Sequence, residues 1–342
     1  MNCGSVYGTD KTGRSDRKET VGMKKYDVVA LGELLIDFTE NGTSAQGNTI
    51  YEANPGGAPC NVLAMLTKLG RKTAFIGKVG RDIFGKRLKT TLEEVGIDTS
   101  NLVMDEDVRT TLAFVETFPD GDRDFSFYRN PGADMMLRAD EVQIELVKDT
   151  NIFHFGTLSM THEEVRNATK KAIAAAKEAG AVISFDPNLR EPLWNSLEDA
   201  KEQVAYGLSQ CDVLKISDNE IQWFTGEEDY DAGIAKLREQ YDIPLIMLSM
   251  GKDGSRAYYK DLRVEVKPFL QEKTIETTGA GDTFGGCCLN YVLEYGLHNM
   301  DEKKLKEMLT FANAAASIIT TRKGALRVMP GEKEVRELIE KF

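Results

Sequence analysis

The chain has 342 residues, enough for one large α/β domain or two smaller ones. Its net charge is −12, from 43 Lys and Arg against 55 Asp and Glu, and no long basic run occurs, which argues against nucleic acid or an anionic membrane surface as the main partner. No apolar run has transmembrane length, no segment has the pattern of a secretory h-region, and the five cysteines contain no C-x-x-C pair. We therefore expect a reduced, cytoplasmic protein without structural zinc.

The first residues differ from the rest of the chain. Residues 1–23 are polar and without hydrophobic periodicity, which predicts a disordered N-terminal extension, whereas 24–342 carry the patterns of one folded domain. The first of these patterns, at 26–33, is that of a buried strand ending in glycine, closed by Glu33 and followed by Asp37. Both carboxylates therefore fall close to the end of a buried strand.

Two glycine-containing loops come next, and each leads into a helix. Residues 38–52 are polar and dotted with glycine, and the pair Gly56-Gly57 then precedes a helix predicted at 62–69. After a short strand, a second loop rich in Gly and Asp, at 77–82, leads into another helix.

A hairpin signal interrupts this helix-rich part of the chain. Residues 110–118 and 123–128 are rich in Thr, Phe and Val, and a turn at 119–122 separates them. In the second strand Phe125 and Phe127 alternate with polar residues, so one face is apolar. A half-buried hairpin inside an α/β chain predicts a small sheet that projects from the main body.

From residue 151 the chain alternates between strand and helix patterns. Strands are predicted at 151–156, 181–185, 212–216 and 245–249, helices at 163–179, 197–208 and 231–240, and an edge hairpin at 258–269. Alternation of this kind predicts an α/β fold with a mostly parallel central sheet and helices on both faces.

Polar loops follow four of these strands at their carboxyl ends. These loops contain Gly156 and the segments 186–190, 217–220 and 251–254. Ligands of open α/β sheets bind beyond the carboxyl ends of the strands. Four such loops at one edge favour a nucleotide and small-molecule site over ordinary turn chemistry.

The turn at 276–286 carries the strongest functional signal. Gly279, Gly281 and Asp282 lie where the loop becomes the first turn of an apolar helix, and the unpaired N–H groups there can bind a phosphate. A carboxylate at that place suits a base that takes a proton from an attacking hydroxyl. On this stretch alone, a plain turn with Asp282 as a helix cap is an equal alternative, because Phe284 replaces the third glycine of the dinucleotide fingerprint.

Two signatures carry a family resemblance. The segment 56–61 with 78–82 matches an N-terminal signature, and 277–284 matches a C-terminal one. On these residues the chain resembles the ribokinase-like (phosphofructokinase-B) sugar kinases, and most closely the bacterial fructokinases, from about Lys24 to the C-terminus.

The resemblance implies a ribokinase-like fold, a small β lid built from about 38–52 and 108–130, and ATP-dependent phosphorylation of a sugar hydroxyl. The segments 125–134 and 185–190 resemble the fructokinase branch, which implies conversion of D-fructose to fructose 6-phosphate. Ribose and 2-keto-3-deoxygluconate remain open as other sugars. An NAD-dependent dehydrogenase and a non-catalytic binding module also remain open, although the missing fingerprint and the intact Asp282 turn weigh against them.

By position, the resemblance assigns a role to each site residue. Asp282 is the general base, and the amides of Gly279, Ala280 and Gly281 form the anion hole. The substrate-binding residues are Asp37, Gly56, Gly57, Asn61, Phe127 and Arg190, of which Arg190 lies toward the phosphates. The nucleotide-binding residues are Asn188, Ser217, Glu220, Ser249, Gly251, Gly254 and Asn313.

The resemblance also implies cofactors and an assembly. ATP binds with Mg²⁺, which Glu220 holds through water, and K⁺ is a candidate ion at Glu276 and Thr278. The chain departs from the family at two positions, since Ser217 and Glu276 stand where Asn and Asp are usual. The implied protein is a homodimer that binds a sugar and ATP, with no nucleic acid or membrane partner.

Overall fold

The computed structural model describes residues 24–117 and 123–342. The expected extension at 1–23 and the hairpin turn at 119–122 lie outside the described residues. The strands are β1 (Tyr26–Leu31), β2 (Leu35–Thr43), β3 (Thr49–Gly56), β4 (Thr73–Gly80), β5 (Asp98–Asp105), β6 (Leu112–Thr117), β7 (Arg123–Tyr128), β8 (Thr150–Gly156), β9 (Val182–Asp186), β10 (Val213–Ser217), β11 (Leu245–Ser249), β12 (Ser255–Tyr259) and β13 (Leu262–Val266). The helices are α1 (Ala58–Lys68), α2 (Ile83–Val95), α3 (Ile144–Lys148), α4 (Glu163–Glu178), α5 (Leu197–Gln210), α6 (Asp218–Thr225), α7 (Tyr230–Gln240), α8 (Ala280–Tyr295), α9 (Glu302–Ile319) and α10 (Glu332–Lys341).

Nine strands form one large sheet in the order β13-β12-β11-β10-β9-β8-β1-β4-β5. Every neighbouring pair is parallel except β11 with β12 and β12 with β13, which confirms the predicted mostly parallel sheet with an edge hairpin. The opposite edge strand, β5, escaped prediction because Asp98, Ser100 and Asp105 interrupt any apolar run.

Helices cover both faces of this sheet, as predicted. The apolar residues of α1, α2, α8, α9 and α10 pack in one core cluster, and those of α3 to α7 pack in another. The central strands are buried on both faces between the two clusters, which is why they read as continuous apolar runs. In the described part of the chain, no helix combines the length and the apolar character needed to cross a membrane.

A second sheet of four strands, in the order β3-β2-β6-β7, confirms the predicted small β sheet. The predicted hairpin is β6 with β7, whereas the polar segment 38–52, for which no strand pattern was recognised, belongs to a hairpin of β2 and β3. That hairpin is exposed along much of its length, so its side chains do not alternate in polarity. Phe38 stacks on Phe114 with the ring centroids 4.8 Å apart, which joins β2 to β6.

Two glycines allow α1 to pack closely against its neighbours. Gly57, before α1, has φ of 133°, and a Cβ there would lie 2.4 Å from the carbonyl oxygen of Glu33. Gly286 lies where α8 crosses α1, and a Cβ there would lie 3.0 Å from both the Cβ of Met65 and the carbonyl oxygen of Val62. The absence of a side chain at Gly286 therefore lets the two helices approach closely.

We expect Gly286→Ala to lower the free energy of unfolding by about 1–3 kcal/mol, because the added methyl group meets the backbone of α1. Gly285→Ala is the matched control. A Cβ at Gly285 would have no atom within 4 Å other than those of its own helix backbone and chain neighbours, so alanine should keep or raise stability through its better helix propensity. Urea unfolding of both variants measures the difference, and equal destabilisation would contradict the close packing of α8 on α1.

Candidate active site

Two cavities meet at the start of α8, beyond the carboxyl ends of the central strands. The first, of about 300 Å³, lies between this point and the small sheet, and we call it the lid-side cavity. The second, of about 340 Å³, lies between the start of α8 and α9, and we call it the α9-side cavity. Thr277 and Gly281 line both cavities, so a molecule in one would approach a molecule in the other at this turn.

Asp282 lies in the first turn of α8, with 9% of its surface exposed. Its Oδ2 accepts a hydrogen bond of 2.8 Å from the Nδ2 of Asn61 on α1. The N-cap position of α8 belongs to Gly279, and no side chain caps the helix. Burial raises the pKa of Asp282, while the bond from Asn61 and the charges of Lys215 and Arg190 act in the opposite direction. Asp282 is therefore a buried carboxyl group that faces the lid-side cavity.

The turn before Asp282 has the conformation that glycine allows. Gly279 has φ of 76°, and a Cβ there would lie 2.8 Å from the Cβ of Ala325. Of the three amides expected in an anion hole, that of Ala280 donates to the carbonyl oxygen of Thr277 at 3.2 Å. The structure thus brings the predicted residues Gly279 to Asp282 together at one helix N-terminus, with one of the three donors already engaged.

Lys215 is a site residue that the sequence reasoning missed. It is 8% exposed on β10, and its Nζ lies 3.0 Å from the Oδ2 of Asp186 at the end of β9. A Cβ on Gly281 would lie 3.1 Å from the same Nζ, so the ammonium group lies beside the start of α8. Burial by itself lowers the pKa of Lys215, but the carboxylates of Asp186, Glu220 and Asp282 raise it above the ordinary lysine value. Lys215 therefore supplies a positive charge to the lid-side cavity, beside the glycine that lines both cavities.

All six predicted substrate-binding residues line the lid-side cavity, namely Asp37, Gly56, Gly57, Asn61, Phe127 and Arg190. A Cβ on Gly56 would lie 2.3 Å from the Oδ2 of Asp37, so glycine leaves room for that carboxylate. The Oδ1 of Asn61 is buried and has no hydrogen-bond partner among the described residues. It is therefore an acceptor available to a hydroxyl group in the cavity.

Two carboxyl groups in this cavity are hard to ionise. Burial raises the pKa of Asp37 to about 7, with Arg190 opposing the shift and Glu276 and Asp282 adding to it. Burial also raises the pKa of Glu33 to about 7, although the amide of Ala58 donates to its Oε1 at 2.8 Å. The sequence reasoning noted Glu33 but gave it no role in the site. The cavity therefore holds carboxyl groups that lack enough compensating partners.

The α9-side cavity contains four of the predicted nucleotide-binding residues: Ser249, Gly251, Gly254 and Asn313. Phe269, Leu270 and Phe284 supply apolar walls. The Nδ2 of Asn313 donates to the carbonyl oxygens of Val266 and Lys267, each at 3.2 Å, which ties α9 to the end of β13. A mostly apolar slot with a few fixed polar groups suits a flat heteroaromatic ring.

Three other predicted nucleotide residues lie elsewhere. Asn188 lines the lid-side cavity instead, in the left-handed region with φ of 43°. Ser217 and Glu220 line neither cavity and form the capping box that begins α6, where the sequence pattern suggested a loop. The Oε2 of Glu220 accepts from the amide and the hydroxyl of Ser217, and its Oε1 accepts from the amide of Leu189 at 2.8 Å. Ser217 therefore positions Glu220, which in turn fixes the loop after β9.

The expected K⁺ residues Glu276 and Thr278 line the lid-side cavity. The Oε1 of Glu276 accepts the amide of Gly324 at 2.7 Å, so this carboxylate joins the loop before α8 to the loop after α9. Among the described residues, no group of three or more His, Cys, Asp and Glu side chains could hold a metal ion.

The geometry agrees with the family comparison. The family model described as pfkB family carbohydrate kinase matches residues 25–331. The chain belongs to the pfkB family of carbohydrate kinases. This confirms the sugar-kinase interpretation of the sequence and excludes the dehydrogenase alternative.

Relatives of this kinase include a protein named probable fructokinase-2 from Arabidopsis thaliana, which is 41% identical over 321 residues, or 93% of this chain and 97% of that one. Among solved structures, the fructokinase of Xylella fastidiosa with bound ATP has a TM-score of 0.83 and 31% identity, covering 92% of this chain and 98% of that one. A double mutant of the Vibrio cholerae O395 fructokinase, with fructose, ADP and potassium ion bound, has a TM-score of 0.81 and 28% identity, covering 92% and 99%.

We expect Asp37→Asn to raise the Tm of the ligand-free kinase by clearly more at pH 8 than at pH 5. A carboxyl group whose folded-state pKa is about 7, against about 3.9 when unfolded, destabilises the folded state progressively as the pH rises between these two values. Asparagine removes that penalty, which is larger at pH 8. Asp261→Asn, at an exposed turn, controls for the loss of one negative charge. Equal Tm shifts at both pH values would contradict the raised pKa.

Proposed function

We propose that this kinase transfers the γ-phosphoryl group of ATP to D-fructose, giving fructose 6-phosphate. The observation that carries the proposal is the meeting of the two cavities at Gly281, with Asp282 on the lid side. The lid-side cavity takes the sugar, and the α9-side cavity takes the adenine ring. The fructokinases from Arabidopsis thaliana, Xylella fastidiosa and Vibrio cholerae support fructose as the sugar.

Asp282 acts as the general base in this proposal. A sugar hydroxyl has too high a pKa to ionise by itself, so a carboxylate must take its proton as the new P–O bond forms. The hydrogen bond from Asn61 keeps one oxygen of Asp282 fixed, which leaves the other free to face the sugar. Burial strengthens Asp282 as a base by raising its pKa, and the nearby charges of Lys215 and Arg190 oppose that rise and favour the carboxylate form that can take a proton.

The positive charge at the start of α8 stabilises the transferred group. Phosphoryl transfer passes through a loose transition state, so catalysis depends on position and on charge stabilisation. The helix N-terminus and the Nζ of Lys215 are both held in place before substrate binds, so they need little reorganisation. Arg190, on the exposed rim of the lid-side cavity, adds a third positive group.

Sugar recognition depends on polar groups that lack enough hydrogen-bond partners within the protein. The unpaired Oδ1 of Asn61 accepts one hydroxyl, and Asp37 accepts others. Binding would relieve the raised pKa of Asp37, because hydroxyl donors favour its ionised form. The small sheet closes over the sugar as a lid, with Phe127 as its apolar contact, and excludes water that would otherwise accept the phosphoryl group.

The proposal includes Mg²⁺, which neutralises the ATP phosphates when bound. The Oε1 of Glu220 accepts one protein hydrogen bond and so has room for a magnesium-bound water. K⁺ would lie near Glu276 and Thr278, which line the lid-side cavity. The potassium ion bound to the Vibrio cholerae fructokinase supports K⁺ as the ion.

We also place the kinase in the cytoplasm as a homodimer. The four cysteines in the described part of the chain are free and buried, which suits a reducing compartment. Tyr51 and Tyr128 expose apolar surface on the small sheet, which a second copy could cover.

A sugar panel tests the proposed function. With ATP and Mg²⁺, coupled ADP release should give a kcat/KM for D-fructose at least about tenfold above those for ribose, glucose and 2-keto-3-deoxygluconate, because a site that hydrogen-bonds one hydroxyl pattern leaves polar groups unpaired with another. ATP hydrolysis without sugar is the control. An equal or higher kcat/KM for another sugar would overturn fructose as the substrate, and no sugar-dependent ADP release would overturn the kinase activity.

A further inference from the structure

A buried cluster of charged and polar side chains lies where the strands of the lid join the body of the kinase. Arg129 directly follows β7, Thr111 directly precedes β6, and Asp134 lies in the loop after β7. The side chains of Arg129 and Asp134 are each 2% exposed. Arg129 and Asp134 belong to the segment 125–134, which resembles the fructokinase branch, and the proposed mechanism gives them no task.

Arg129 and Asp134 tie three parts of the fold together. The Nε of Arg129 lies 2.8 Å from the Oδ2 of Asp134, and Thr111 donates its hydroxyl to the other oxygen of Asp134. The Nη1 of Arg129 donates to the Oγ1 of Thr161 at 2.9 Å, and its Nη2 donates to the carbonyl oxygen of Leu158 at 3.0 Å. One ion pair therefore connects the bases of β6 and β7 to the loop that follows β8 in the body.

The cluster has almost no room to rearrange. A Cβ on Gly132 would lie 1.8 Å from the Oγ1 of Thr111 and 3.0 Å from the Cγ of Arg129. Buried ion pairs of this type give little net stability, because removing two charges from water offsets their attraction. The pair is therefore better explained by the single geometry that it imposes than by the stability that it adds.

The cluster is connected to two walls of the lid-side cavity. Phe127 on β7 and Leu158 in the body loop both line the lid-side cavity. Arg129 follows Phe127 by two residues, and it binds the carbonyl group of Leu158 directly. The guanidinium group of Arg129 therefore fixes the position of Phe127 in the lid relative to Leu158 in the body.

We propose that Arg129 is a positioning residue for the phosphorylation reaction: paired with Asp134, it holds Phe127 and the β6–β7 half of the lid in register with the body over the sugar. This inference rests on the proposed function of the lid-side cavity as the sugar site. It predicts an effect on the sugar and on water exclusion, and not on the nucleotide, because none of the cluster's residues lines the α9-side cavity.

Two variants weaken this anchor with small changes in side-chain size. Arg129→Lys keeps a positive charge for Asp134 but cannot reach all of its partners. Thr161→Val removes the hydroxyl that accepts from Nη1 and that also donates to the carbonyl oxygen of Leu158 at 2.9 Å. We expect Arg129→Lys to raise the KM for the sugar about tenfold, the loss of one charge-assisted hydrogen bond, with the KM for ATP nearly unchanged. The ratio of sugar-independent ATP hydrolysis to sugar phosphorylation should rise as well. Thr161→Val should show the same pattern, to a smaller extent.

Arg166→Lys is the matched control. Arg166 also pairs with an aspartate, Asp199, and also binds a body carbonyl group, that of Met160, but none of these three residues lines either cavity. We expect Arg166→Lys to leave the KM values for the sugar and for ATP unchanged. If Arg129→Lys raised both KM values equally, or neither, while melting like the control, the positioning role would be refuted. The split is measured with whichever sugar the wild-type kinase phosphorylates best, so a wrong sugar assignment would not obscure this result.

Discussion

The balance of charge at the start of α8 is the constraint on which the whole site depends. A buried carboxylate is unfavourable by itself, yet Asp282 is only 9% exposed. The amide of Asn61 and the ammonium group of Lys215 offset this cost, and they come from α1 and β10, far away in the chain. The same positive surroundings that lower the cost of a charged carboxylate are available to a transferred phosphoryl group. In the proposed mechanism, the base and the anion site therefore share one electrostatic arrangement.

Missing side chains give this arrangement its shape. Gly56 leaves space for the carboxylate of Asp37, and Gly279 lets the turn approach Ala325. Gly281 leaves space for the ammonium group of Lys215, because a Cβ there would lie only 3.1 Å from its Nζ. A side chain at any of these three glycines would collide with a methyl group or crowd a charged group. Because glycine has no side chain, ligand atoms can also approach the backbone amides at these positions.

Much of the fold and the site could be predicted from local patterns. The alternation after residue 151 predicted the parallel sheet, and the Gly279–Asp282 turn predicted a helix-start site, because both signals are contiguous in sequence. Lys215 escaped notice, since a lysine within an apolar strand acquires meaning only when Asp186 and Gly281 lie beside it. The capping role of Ser217 was missed for a different reason, because the contiguous capping-box pattern of Ser217 and Glu220 was interpreted as a loop. Contacts between distant segments, such as that of Lys215 with Asp186, leave no local pattern of this kind.

The most direct test of the account is the turnover of Asp282→Asn, measured together with its dissociation constant for ATP. Asparagine keeps the size of the side chain, and Gly279 occupies the N-cap, so the fold should be preserved. Because the amide cannot take a proton, kcat should fall by about two to four orders of magnitude. The affinity for ATP should hold or rise slightly, since one negative charge leaves the phosphate site. A folded variant that kept a tenth or more of the wild-type kcat would contradict the assignment of Asp282 as the base.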